Sequence, residues 1–275
     1  MRSKLPVSPG AVYSVLRELR SSARANRPLV VAGAPELAAV LRRELTRGGV
    51  AEAVRDQGPL EQAAALVYVL AGEVDDEARH VLRAAERARL PSVCVLAGPG
   101  GAEAPDPPFV LAENVVRLRS GGGFPVDEIG RALARALGER ATPLAARLPV
   151  LRRPVCEELI RRYSRQNGLI GAVIFVPGAD MPVLTLNQVR LVLRIADAHG
   201  FELDRERIPE VLGVVGSGLG FRAVARSALG VVPLAGWAVK GGIAYTGTRA
   251  LGEAALRYFE RRAPVTRVAG ARSRL

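Results

Sequence analysis

Three short apolar runs limit what this chain can fold into more than any other feature: Pro28–Gly33 (PLVVAG), Leu66–Ala71 (LVYVLA) and Ser92–Ala97 (SVCVLA). None of them alternates apolar with polar residues, so each strand must be covered on both faces. Between them the spacing is helical: Pro35–Arg47 runs up to Gly48-Gly49, and Val74–Arg89 follows the second run. Asn114–Leu118 reads as a fourth strand and Val126–Leu137 as the helix after it. Continuous apolar strands alternating with helices imply an α/β domain over 28–140, a parallel sheet with helices on both faces. A helix is expected before it, with Ser8 and Pro9 as N-cap and first turn and Val12, Val15, Leu16 and Leu19 in one stripe.

In such a sheet the loops beyond the strand C-termini hold ligands. The first of these loops reads GAPELAAV, residues 33–40. A phosphate loop carries glycine, lysine and a hydroxyl residue at its last three positions. Here Ala38, Ala39 and Val40 stand there, so no lysine reaches a terminal phosphate and no hydroxyl holds magnesium. Pro35 removes one further backbone donor. The stretch ALVYVLAGEVDDEARHVLRAAERARLPSVCVLAG, residues 65–98, resembles the strand–helix–strand before the guanine-specificity loop of a translation-factor-type GTPase. Functional members of that family continue with Asn-Lys-x-Asp; this chain continues AGPGG, with no carboxylate or amide. The magnesium-binding Asp-x-x-Gly element and a switch threonine are not recognisable in 48–65. The resemblance therefore implies a GTPase-like scaffold that has lost its nucleotide contacts, with no catalytic residue, cofactor or metal expected. A generic flavodoxin-like domain is the rival reading.

Prolines at 143, 149 and 154 mark 141–154 as a linker, with room for helical residues between the prolines, to a second, all-α domain over 155–263, followed by a basic tail, 264–275. Val155–Gln166 reads as a helix stopped by Asn167-Gly168. Asp180 is placed to N-cap a helix with Pro182 in its first turn. On that helix Asn187, Arg190, Arg194 and Asp197 form one polar strip within an otherwise apolar circumference. Polar groups in such surroundings must be paired. Asp180, Asn187, Gln188, Arg190 and Arg194 are thus candidates for an internal polar network, a ligand pocket or a partner contact. Farther on, Gly213, Gly216, Gly220, Ala223 and Ser227 share one face of a helix over 209–229. Beyond Pro233–Gly236, the residues Ala238, Gly242, Thr246, Ala250 and Ala254 recur every four positions. Two ridges of small residues predict a tight antiparallel hairpin of small-xxx-small type. The longest uncharged runs, Gln166–Ala179, Ser227–Val239 and Val211–Phe221, hold 14, 13 and 11 residues. A membrane span needs about 20, which leaves a closely packed helical core or a shallow membrane contact.

Separated segments of this half resemble a bacterial family, the GTPase-associated domain of unknown function 697. They are Pro177, Asp180, Pro182 and Gln188, then Thr248, Ala250, Leu251, Gly252, Tyr258 and Phe259. The resemblance covers about 155–260 and implies association with a GTPase domain or with predicted membrane segments. It carries no activity with it.

The net charge of +12 is unevenly distributed: residues 1–140 hold 19 basic and 17 acidic side chains, residues 141–275 hold 20 and 10. An anionic partner is expected for the second half, whether a membrane surface, an acidic protein or nucleic acid. No nucleic-acid motif occurs, and no aromatic residues interleave with the arginines. Two cysteines, Cys94 and Cys156, are too few for a disulfide framework and fit a reducing cytoplasm. The opening MRSKLPVSPG lacks the apolar core of an export signal. His80 reads as solvated, and His199 as a helix C-terminal residue. The expected function is a non-enzymatic adaptor whose helical domain self-associates, docks a protein partner or associates with membrane. The rivals are a divergent GTPase and a nucleic-acid-binding protein.

Overall fold

The computed structural model describes residues 26–56, 58–97, 105–118, 122–173, 181–201 and 236–262, with residues 10, 14, 15 and 17. The described residues form two compact units, one within 26–155, the other within 156–262 together with residues 10, 14, 15 and 17.

The first unit is built on five parallel strands: β1 (Leu29–Gly33), β2 (Val54–Arg55), β3 (Ala65–Leu70), β4 (Ser92–Leu96) and β5 (Val115–Arg117). Their order in the sheet is β2-β1-β3-β4-β5, with β1 and β3 in register from Leu29↔Ala65 to Gly33↔Val69. This is the flavodoxin-like doubly wound order, whose direction reverses between β1 and β3. The apolar runs explain it: all six residues of β3 are buried, so both faces of the sheet are covered. Helix α1 (Pro35–Leu45) lies against β1, β2 and β3, α2 (Asp76–Arg87) against β3 and β4, and α3 (Val126–Leu137) against β4 and β5. On the α2 side, Ala78, Leu82 and Ala85 join Leu66, Tyr68, Leu70, Cys94 and Leu96 in one cluster. Cys94 is a fully buried core residue, and burial pushes its thiol up to about 12.

The proline-marked stretch 141–154 is packed, not extended. Helix α4 (Thr142–Arg147), a 3-10 turn (Pro149–Leu151) and the start of α5 (Arg152–Val173) occupy it. Leu144, Ala145, Leu148 and Leu151 are buried there. A Cβ on Gly130 of α3 would lie 2.9 Å from Pro154 Cγ, so the missing side chain lets this stretch close on α3. Each proline sits where a helix tolerates it, in a first turn or a 3-10 turn.

The second unit is helical in its described parts. Helix α5 continues past Asn167-Gly168 to Val173, contrary to the expected stop. It is followed by α6 (Met181–Ala198) and α7 (Gly236–Arg262). Asp180, the helix expected over 209–229 and the tail 264–275 lie outside the described residues. Contacts fix the directions of the three helices. Along α5, Asn167 bonds to Asn187 and Cys156 meets His199, so α5 and α6 are antiparallel. Gly168 faces Gly241 and Tyr245, while Ile160 faces Gly252, so α5 and α7 are antiparallel as well. Among the described residues no helix is long and apolar enough to cross a membrane.

One contact closes the sheet end. Gly33 has φ of +102°, and a Cβ there would overlap the Val69 carbonyl oxygen and lie 2.8 Å from Val69 N. Gly33→Ala is expected to cost about 3 kcal/mol or more, because strained φ and overlap with backbone combine. Gly48→Ala, at φ +68° with open space around it, should cost only about 1 kcal/mol. Urea denaturation of the two variants measures the difference.

Candidate functional site

Two places could carry chemistry: the sheet's C-terminal end at β1 and β3, and the polar interior of the helical unit. At the first, the ligand crevice of this strand order should open. Instead, a single residue, Ala34, separates β1 from α1. Its N–H donates to Val69 C=O at 2.9 Å, Pro35 has no N–H to give, and Glu36 places a carboxylate in the first turn. A phosphate cradle needs several free N–H groups in a loop that curls around the anion. The other helix starts on this edge are also occupied by carboxylates. Asp75 caps α2 by accepting from Ala78 N–H at 2.7 Å, with Asp76 and Glu77 beside it, and Asp127 and Glu128 open α3. Burial first, then the Asp75 and Glu77 charges, hold the Tyr68 hydroxyl above its usual range. Residues 98–101, at the position of a guanine-specificity loop in the GTPase resemblance, lie outside the described residues. Among the described residues no group of three or more His, Cys, Asp or Glu could hold a metal ion.

The second place is a network spanning α5, α6 and α7. Asn167 Nδ2 donates to Thr248 Oγ1 at 2.9 Å and more weakly to Leu184 C=O at 3.4 Å. Asn167 Oδ1 accepts from Asn187 Nδ2 at 2.8 Å, and Gln188 Nε2 reaches Thr248 Oγ1 at 3.3 Å. Asn167 and Thr248 are fully buried, and Asn187 and Gln188 nearly so. Of the sequence candidates, the structure brings Asn187 and Gln188 into this network. Arg194 is buried on the same helix and Arg190 is half-buried. Asn167 and Thr248 complete the network and were missed as site residues. Asn167 stands before a glycine, which in sequence reads as a helix cap, and Thr248 is one small residue among many.

The network sits where the helices come very close. A Cβ on Gly171 would be 2.9 Å from Ala244 Cβ, and one on Gly241 would be 2.8 Å from Gly168 O. A Cβ on Gly252 would be 2.6 Å from Ile160 Cγ1 and 3.0 Å from Leu191 Cδ2. The close-packed ridge of α7 therefore runs through Gly241, Thr248 and Gly252. The predicted ridge is displaced from it: Gly242 meets open space, and exposed Thr246 bonds only to its own helix, at Gly242 O. Ala238 belongs to α7, whereas Gly213, Gly216, Gly220, Ala223 and Ser227 lie outside the described residues.

A third meeting is chemical in appearance only. Cys156 Sγ lies 3.9 Å from His199 Nδ1, with both residues buried. The same Nδ1 is 2.8 Å from Ile195 C=O, an acceptor, so it carries the proton and cannot take one from the thiol. His199 thus caps the last turn of α6 and stacks near Phe259, with ring centroids 6.2 Å apart. His80 is exposed.

Compared with protein-family models, curated proteins and solved structures, the chain finds no match.

Thr248→Val should cost about 2–3 kcal/mol, since two buried amide donors lose their acceptor, whereas Thr246→Val should stay within about 0.5 kcal/mol. Gly242→Ala should stabilise by about 1 kcal/mol through helix propensity, while Gly241→Ala should destabilise by about 1–3 kcal/mol through overlap. Thermal and urea unfolding of the four variants decides both pairs, and equal effects within a pair would refute the assigned packing face.

Proposed function

We propose that this chain is a non-enzymatic adaptor. In this reading a GTPase-like α/β unit without a nucleotide site is joined to an all-α unit that self-associates, docks a protein partner or rests on an anionic membrane surface. The observation that carries the first part is the one-residue turn between β1 and α1, where Ala34 N–H is spent on Val69 C=O. A nucleotide phosphate approaching there meets Glu36 instead of an array of free donors. The missing lysine and hydroxyl at Ala38, Ala39 and Val40 agree with it. A divergent GTPase would need a different phosphate site, and no described residue supplies one.

The docking role is supported by the helical unit's distribution of apolar surface. Leu169 and Val173 near the end of α5, Val183 at the start of α6 and Val239 at the start of α7 are exposed to 66, 59, 44 and 44%. The antiparallel arrangement gathers all four at one end of the three helices, where Lys240 adds a positive charge. Grouped apolar exposure of this kind marks an interaction surface.

The test is a titration of the full chain with fluorescent GTP, GDP and ATP analogues in magnesium. No saturable binding is expected up to about 100 μM nucleotide, where even a complex of about −5 kcal/mol would begin to register. Saturation at micromolar concentration, competed by unlabelled nucleotide, would overturn the scaffold reading and revive a divergent GTPase.

A further inference from the structure

The docking role proposed above leaves the occupant of the apolar end open, and the charges around that end choose one. Among the described residues, the half of the helical unit that carries it, 161–173, 181–190 and 236–249, holds no Asp or Glu. The acidic side chains of the three helices, Glu157, Glu158, Asp197, Glu253 and Glu260, all lie toward the other half. Two cations of the near half are paired with that other half, Arg161 with Glu158 at 2.6 Å and Arg249 with Glu253 at 2.9 Å. Nearer the apolar end, Arg165 and Lys240 are exposed, and among the described residues neither is ion-paired. Contacts between the helices set the levels: Gly171 meets the Lys240 carbonyl, and Asn167 reaches Leu184 C=O. Val239 and Val183 therefore stand within a turn of the Leu169–Val173 stretch. Arg165 lies one turn before Leu169 on α5, about 12 Å of helix rise behind Val173.

We propose that this end docks, tip first, on the surface of an anionic lipid bilayer, with Leu169, Val173, Val183 and Val239 entering the acyl boundary and Arg165 and Lys240 lying at the phosphates. The inference rests on the docking reading and names its partner. Interfacial segments bury their apolar groups about 5–10 Å deep and keep basic residues at the headgroups. The rise from Val173 back to Arg165 spans that depth, so the guanidinium reaches the phosphates when the tip reaches the acyl chains. Lys240, next to Val239, gets there by laying its stem along the apolar surface. The tip is four separate side chains on three helix ends, which a fluid surface accommodates without a matching shape. The described helices can reach into the interface but not across it. A second copy seated symmetrically on the same end would set cations against cations, and a neutral surface would leave both charges unanswered.

The probe is the full chain mixed with vesicles of phosphatidylcholine alone, or of phosphatidylcholine with phosphatidylglycerol, and separated by flotation. Flotation with the mixed vesicles is expected at low salt, weakened at least tenfold at high salt, where screening removes the headgroup attraction. Combined Arg165→Glu and Lys240→Glu should weaken it at least tenfold, since each basic residue at such a surface contributes about a factor of five. Combined Leu169→Glu and Val173→Glu should weaken it as much, whereas Val40→Glu and Arg43→Glu on α1 should change nothing. Equal flotation with neutral vesicles, no flotation at about 1 mM lipid, or flotation indifferent to both tip pairs would overturn the proposal. Velocity sedimentation without lipid separates this failure from failure of the docking reading. A dimer dissociated by the Leu169→Glu, Val173→Glu pair would give the end to a second copy, keeping the docking reading while the bilayer falls. A monomer that ignores vesicles would also remove the bilayer and leave an acidic protein as the occupant that reading allows. Should the Leu169→Glu, Val173→Glu pair fail to fold by circular dichroism, vesicle composition and the Arg165→Glu, Lys240→Glu pair decide it.

Discussion

A backbone N–H taken out of water must find an acceptor, and the way Ala34 meets that demand governs the rest of the α/β unit. Its N–H bonds to the Val69 carbonyl across the β1–β3 step. That bond is possible only because Gly33 has no side chain and sits at φ +102°. Once the turn is drawn tight, α1 starts at Pro35 with no loop to spare. The carboxylates at Glu36, Asp75, Asp127 and Glu128 then serve the helix dipoles. A site for an anion and a set of acidic helix starts are mutually exclusive uses of the same edge.

The helical unit meets the same demand with side chains. Glycines at 168, 171, 241 and 252 let helix backbones come within contact of one another, which leaves no room for water between them. Any polar group on those faces must then pair internally. Asn167 is the hub because its amide offers both a donor and an acceptor, and it uses both across helix boundaries. A buried hydrogen bond adds only about 1 kcal/mol net, whereas an unmet donor costs about 1–3 kcal/mol. The network therefore does less to hold the helices together than to penalise every register but one.

The strands and the alternating helices were legible because LVYVLA and SVCVLA have no polar position at which a buried strand could be interrupted. Strand β2 was not, since two residues, Val54 and Arg55, make no run and are placed by pairing with Leu29 and Val30. Prolines at 143, 149 and 154 looked like punctuation. Composition cannot separate a proline that ends a helix from one that begins it, and here burial of Leu148 and Leu151 decides. Asn167-Gly168 has the chemistry of a cap, but α7 packed on Gly168 and the partners of the Asn167 amide hold the helix through it. On α7, small residues recur on adjacent stripes, so periodicity alone could not choose Gly241 over Gly242. The Cys156–His199 contact joins residues 43 apart on different helices, and no local pattern announces it.

In a doubly wound sheet the strand C-termini are the usual place for chemistry because diverging helices leave an opening there. Here the Ala34–Val69 bond draws the β1–α1 turn tight, and carboxylates stand at the described helix starts on this side. The lateral edge differs in charge: Arg117, Arg131 and Arg135 stand with Glu128 along a groove beside β5, and no described strand pairs with its outer side. The tight turn and the well-packed sheet are consistent with each other, because the bond that ties Ala34 to Val69 also anchors the start of α1 at the centre of the sheet.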